Sequence, residues 1–369
     1  MPRQVTQEWE DQLYRMKKLA PIFLALIIFF VSPFSSAAEN SDPDLKKERQ
    51  IGEKAVAEIE KQWPLTSDPA IISKLEVILH RLEPYMERRI KWEVRLVKAE
   101  ALNAFCLPGG FIFFTTGMIE ALDTDSELAA VMAHEMIHAD RKHGLRMAAD
   151  ANKINLATLA VMLLSGGSAA PIILAQVANV AITSAYTLEL EKEADKLGLE
   201  ALIKSGYSPT GMITLFERFM AEEYRQPIIE YGIYMNHPGT KDRLNSAVKI
   251  LHDRKIPIER KYPLGLLRTD IQESSNEIKI TVDGQAVLTG KKTAPNRLAF
   301  KKIRQALDKN LQLELAPYEL HVMNDAFYIG NNLILSKTLD VTDPKEFRTN
   351  LLKSINSARA KHPTSKFFK

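Results

Sequence analysis

The chain has 369 residues, 46% hydrophobic and 26% charged, with a formal net charge of +3. These values suit a globular protein and exclude a disordered, collagen-like or polytopic membrane chain. The small charge, with no Lys/Arg stripe interleaved with aromatics, gives no footprint for nucleic acid, and the single cysteine, Cys106, excludes an intrachain disulfide. From Met16 the chain reads MKKLAPIFLALIIFFVSPFSSAA: basic Lys17 and Lys18, an apolar run from Leu19 to Val31, and the small-residue exit Ser36-Ala37-Ala38. This is the layout of a secretory signal peptide, and the apolar run is shorter than the ~20 residues that span a bilayer. Cleavage is expected after about Ala38, giving an exported, periplasmic chain from Glu39, with residues 1–15 an extension ahead of the signal.

Two helices come next, each opened by an Asp-Pro pair, Asp42-Pro43 and Asp68-Pro69, the aspartate as cap and the proline in the first turn. Trp92, Val94 and Leu96 alternate with polar residues as in a half-buried strand. Pro108-Gly109-Gly110 makes a turn before a second short strand, FIFFTT, so a small hairpin or sheet is predicted. In DTDSELAAVMAHEMIHADRKHG, Thr124 and Glu127 fit a capping box and Gly144 follows His143 as a C-cap, which predicts one helix of about five turns. Between Ile154 and Leu188 there is no charged residue, and SGGSAAP divides the stretch into two apolar halves. Each half is too short for a comfortable span; a buried helical hairpin is the plain reading, and contact with a membrane surface or envelope protein the sharper one. Helices follow over TLELEKEADKLGLEALIKSG, YSPTGMITLFERFMAEEY and the segment after NHPGT. Near Tyr262-Pro263 the character changes: EIKITVDGQAVLTG alternates around an Asp-Gly turn, a strong hairpin signal, and a helix and further strands follow.

The chemistry concentrates in AAVMAHEMIHADRKHG, which holds three of the eight histidines. Residues four apart share a helix face, so His134 and His138 can place two ring nitrogens about 2 Å from one zinc ion. Glu135 lies about 100° round the helix, poorly placed as a ligand but able to reach a water at the metal. H-E-x-x-H thus encodes two ligands and a general base. The alternative, a helix with two structural histidines, leaves unexplained why ionisable groups interrupt an apolar helix. A hydrolytic zinc site takes a third protein ligand. The extended form with Gly and His further along the same helix is excluded, because Arg141 and Gly144 stand at those places. His143 then serves locally at the helix C-terminus, where an imidazolium is favoured. A glutamate on a second helix remains: Glu189, Glu191 or Glu193, of which Glu191 has Asp195 one turn later to accept the spare N–H of a ligand histidine.

Four stretches in this order, NAFCLPGGFIFFTTGMI, ELAAVMAHEMIHADRKHG, ELEKEAD and NHPGTKDRL, resemble the gluzincin metallopeptidase family that includes the CAAX prenyl protease, HtpX and BepA. The resemblance runs from about Leu45 to Arg254 and is closest to the exported, BepA-like branch. It implies one zinc held by His134, His138 and Glu191, Glu135 as general base, and Asp195 supporting a ligand. It also implies that Asn103 and Ala104 lie on an edge strand that pairs with an extended peptide substrate. By the same resemblance His237, in His-Pro, approaches the metal from a loop or stabilises an oxyanion, assisted by Arg243. Cys106 reads as a small buried residue. That branch carries helical repeats after the catalytic domain, whereas this tail reads as α+β, so the branch's partners are not implied.

The expected fold class is α+β: a mostly helical zincin-type domain at residues 39–262 with a small sheet and edge strand, then an α+β accessory domain at residues 263–369. The expected function is a zinc-dependent endopeptidase acting on exported or envelope proteins in quality control. The competing expectation is an envelope assembly or chaperone-like factor whose main role is client binding.

Overall fold

A computed structural model describes residues 43–122, 124–183, 186–225, 239–336 and 341–361. The signal-peptide stretch and His237 lie outside these residues. The chain divides into two units at Lys46, and the second, Lys47–Lys369, holds every element below apart from the first turn of α1.

Helix α1 (Pro43–Gln62) begins at the first Asp-Pro proline. The short strand β1 (Leu65–Thr66) leads to α2 (Pro69–Leu82), where the Asp68 carboxylate accepts from the N–H groups of Ala70 and Ile71. Strands β2 (Glu93–Val97), β3 (Ala104–Leu107) and β4 (Phe111–Thr115) follow. The sheet order is β1-β2-β4-β3, so β3 is an edge strand. β3 and β4 pair antiparallel through the predicted turn, but β2 pairs with β4 in parallel, a long-range choice that no local turn residue announces. Gly109 and Gly110 have φ of +78° and +88°, and a Cβ at Gly109 would stand 2.6 Å from Arg49 Cα, so glycine is required there.

Helix α3 (Thr116–Ala121) precedes α4 (Asp125–Asp140), whose cap Thr124 accepts from Glu127 N–H. The predicted five-turn helix is corrected: α4 stops at Asp140, Lys142 is left-handed with φ of 59°, and α5 (His143–Ala151) begins at once. Tertiary contacts impose this break. The Asp140 carboxylate accepts from the N–H groups of Glu87 and Arg88, and Lys142 Nζ pairs with the buried Glu48 at 2.7 Å. Gly144 therefore lies inside α5 and caps nothing.

The uncharged stretch forms α6 (Leu156–Ser165) and α7 (Ala170–Thr183). Leu159, Leu163, Ile173 and Val177 face inward, while Val161 and Ile172 are about two-thirds exposed at 65% and 66%. No single helix among the described residues is long and apolar enough to cross a membrane. Helix α8 (Leu188–Ser205) then returns against α4, with α9 (Thr210–Arg225) and α10 (Thr240–Asp253) behind it. Gly198 permits the close approach of α8: a Cβ there would stand 3.3 Å from His134 N.

Beyond residue 262, strands β5 (Thr269–Glu273), β6 (Glu277–Val282) and β7 (Gln285–Lys291) make an antiparallel sheet. Its β6–β7 turn is Asp283-Gly284, both at positive φ. Helix α11 (Ala294–Asn310), the meander β8 (Leu320–Met323), β9 (Ala326–Ile329) and β10 (Asn332–Ser336), and α12 (Pro344–Lys361) complete the chain. Apolar side chains between Leu264 and Ala358 form a core cluster of their own. The molecule is mostly helical, with small sheets.

Candidate metal centre

Helices α4 and α8 bring His134, His138 and Glu191 together, each fully buried, with one ligand atom from each within 4.8 Å of the others. The two Nε2 atoms are 3.0 Å apart, with Glu191 Oε2 3.5 Å from that of His134 and Glu191 Oε1 3.5 Å from that of His138. Bonds of about 2.0–2.1 Å at a tetrahedral angle separate ligand atoms by about 3.3 Å, so the triad matches a tetrahedral metal. Of the three glutamates left open by the sequence, Glu189 is exposed and Glu193 half-buried, and only Glu191 points inward. Charge supports the same fit. Among the described residues, the carboxyls of Glu135, Glu191 and Asp195 are buried beside one guanidinium, that of Arg243, so all three ionised with neutral imidazoles would carry a net −2. A dication cancels that charge.

Glu135 follows His134 on α4 and is 2% exposed; its Oε1 has no hydrogen-bond partner, and the Cys106 N–H of β3 donates to its carboxylate. Burial pushes its pKa up to about 8, opposed by His134 and reinforced by Glu191. The Asp195 carboxylate lies 3.0 Å from His134 Nδ1, on the ring edge away from Glu191. Burial alone would lower the His134 pKa, but Asp195 and then Glu191 raise it to about 9, so without a metal an imidazolium supplies the missing positive charge. Arg243, on α10, is 2% exposed. It donates from Nε and Nη2 to the two Asp195 oxygens, each at 2.7 Å, and its Nη1 lies 3.0 Å from Glu191 Oε2. Burial disfavours the Asp195 carboxylate, and the Arg243 charge overrides it and holds the pKa low.

A sequence profile described as peptidase family M48 matches residues 68–251, about half of the chain and the part that holds all of these groups. The chain belongs to peptidase family M48. It is similar to the beta-barrel assembly-enhancing protease of Escherichia coli strain K12, 26% identical over 248 residues, or 62% of this chain and 51% of that protein. It is also similar to the mitochondrial metalloendopeptidase OMA1 of Schizosaccharomyces pombe, 27% identical over 172 residues, or 46% and 50% of the two chains. The OMA1 of Arabidopsis thaliana is 32% identical over 129 residues, 35% of this chain and 26% of that one. The chain thus spans about half the length or less of these relatives.

In this M48 domain Asn103 and Ala104 lie at the start of the edge strand, both with 0% exposure. Asn103 Nδ2 donates to Ile182 O, and its backbone N–H donates to Thr115 Oγ1. All four β3 residues are buried, and α7 packs against the strand. The gap between β3, α4 and α7, bordered by Cys106, His138, Val177 and Tyr186, is only about 10 Å³, close to the minimum that holds one water.

Two further residues pack against the site: Tyr186, which carried no distinct sequence signal, and His143. Tyr186, just ahead of α8, stacks on His138 with centroids 4.0 Å apart and planes at 23°. His143 is a correction: it is not an imidazolium at a helix end but a fully buried ring opening α5, its Nδ1 3.0 Å from His138 Nδ1. Burial lowers its pKa to about 4 against the pull of Glu193, so it is neutral at pH 7.

Proposed function

We propose that the chain is a zinc-dependent endopeptidase in which His134, His138 and Glu191 hold the metal and Glu135 is the general base. One observation carries this reading: three buried ligand atoms within 4.8 Å of one another beside a buried carboxylate oxygen that has no partner. Zinc bound there supplies Lewis-acid polarisation of a peptide carbonyl and acidifies an attacking water. Glu135 Oε1 accepts the water proton and delivers it to the leaving amine nitrogen. A dication at the triad would favour the ionised Glu135 carboxylate, the form that accepts a proton, against the burial that disfavours it. Asp195 fixes the His134 tautomer through Nδ1, and Arg243 locks Asp195 and Glu191 in place, acting through them rather than on substrate.

The extended substrate is proposed to pair with the outer side of β3 at Asn103 and Ala104. Because β3 is buried and α7 packs against it, a shift of α7 that admits the peptide is part of the proposal. The signal-peptide layout supports export, and the name of the Escherichia coli relative, a beta-barrel assembly-enhancing protease, supports a protein substrate met in barrel assembly. The separate apolar cluster after residue 262 supports an accessory α+β domain at residues 263–369. The reading is tested by zinc content and casein cleavage, measured for wild type and Glu135→Gln. Zinc retained with cleavage lost is expected; a variant that still cleaves sinks the mechanism.

A second reading, an assembly or chaperone-like factor, is favoured by Val161 and Ile172, exposed on the uncharged α6–α7 pair as a surface for membrane or envelope clients. Complementation of a deletion strain separates the two: full rescue by Glu135→Gln favours the binding role.

A further inference from the structure

The two ligand histidines are supported differently. The remote nitrogen of His134 faces a carboxylate backed by a guanidinium. The remote nitrogen of His138, Nδ1, faces a third imidazole, with His143 Nδ1 at 3.0 Å. Two ring nitrogens at that distance form a hydrogen bond only when one carries the proton and the other a lone pair. His138 offers Nε2 to the metal position, so its proton sits on Nδ1 and it is the donor. His143 Nδ1 must then accept, which places the His143 proton on Nε2; that atom makes no hydrogen bond, and Glu193 Oε2 lies 3.5 Å from it. With Nε2 of His138 on the metal, the hydrogen bond from His138 to His143 has one direction.

Backbone geometry favours a purpose for this contact. In an unbroken helix, residues five apart are rotated by about 140°, and His143 would point away from His138. The break at Lys142, a lysine held at φ of 59°, brings it back. Tyr186 covers the pair, its ring 4.0 Å from His138 and 6.2 Å from His143, and helps to exclude water.

We propose that His143 is a positioning residue for the metal: it accepts the His138 Nδ1–H hydrogen bond, fixes the tautomer that presents Nε2, and directs its own N–H towards Glu193. This rests on the metallopeptidase reading above and adds the residue that orients its second histidine.

The test compares two polar replacements in the full chain, His143→Asn and His143→Gln. Asparagine places an acceptor where Nδ1 stood, and glutamine places its amide where Nε2 stood, out of reach of His138. Zinc affinity by chelator competition and the visible spectrum of the cobalt(II)-loaded protein are the readouts. His143→Asn is expected to bind zinc nearly as wild type with an unchanged cobalt spectrum. His143→Gln is expected to bind about 10–100-fold more weakly, with shifted bands. Equal affinities and spectra for the two variants, or a better His143→Gln, overturn the proposal. A folded wild-type chain that binds no zinc would instead sink the metallopeptidase reading itself.

Discussion

Around α4 and α8 the interior is built from ionisable groups: His134, Glu135, His138, Glu191, Asp195 and Arg243 are each at most 5% exposed. Between Leu264 and Ala358 the cluster that fills the interior is apolar, with Phe300, Leu307, Phe327 and Phe347 at 0%. Burying charge is unfavourable unless each group is compensated, and apolar packing of the same volume is often as stable or more so. On the proposed function, the first region holds groups kept for chemistry, and the second holds groups kept for folding. Substitutions in the two regions should fail in different ways.

The largest effect is expected from Glu135→Gln, which should lower peptide hydrolysis by about 10²–10⁴-fold with zinc content and melting temperature little changed. A loss of stability on the scale of a core deletion would show that Glu135 belongs with the structural groups. Arg243→Ala leaves Asp195 and Glu191 buried without their guanidinium, and should destabilise by about 3–5 kcal/mol in urea unfolding, with weakened zinc binding. Leu307→Ala should cost about 2–5 kcal/mol but leave zinc affinity and activity per folded molecule intact. If zinc affinity falls with it, the two regions are coupled and the contrast weakens. Zinc at 100 times its dissociation constant should stabilise by about 2.7 kcal/mol, so chelation should lower the melting temperature. Hydrogen exchange should then rise in α4 and α8 before it rises in β6 and β7. The smallest effect belongs to Asp68→Ala, which removes the α2 cap and should cost about 1 kcal/mol, with no change in hydrolysis per folded molecule.

The sequence made the two regions unequally readable. His134, Glu135 and His138 were legible because helical spacing fixes their mutual placement, and Asp283-Gly284 because a positive-φ turn needs those residues. Glu191 could be narrowed to one of three by its spacing to Asp195, and the direction of α8 completes the choice. The end of α4 was misread because Gly144 looked like a cap, whereas contacts from Glu48, Glu87 and Arg88 impose the break two residues earlier. His143 was misplaced with it. Parallel pairing of β2 with β4, and the approach of Arg243 and Tyr186 to the site, depend on long-range packing that leaves no periodic trace.

Under the proposed strand pairing, the burial of β3 against α7 has a consequence for affinity. If peptides reach the strand only after α7 shifts, substrate binds only the open fraction of molecules, and apparent affinity falls by that fraction. A 1% open population weakens binding about 100-fold, equivalent to about 2.7 kcal/mol, without altering the chemistry at the metal. Substrates would then be sorted less by the sequence around the scissile bond than by whether an unpaired strand is present long enough to meet an open molecule. Folded proteins, whose strands are already paired, would be spared.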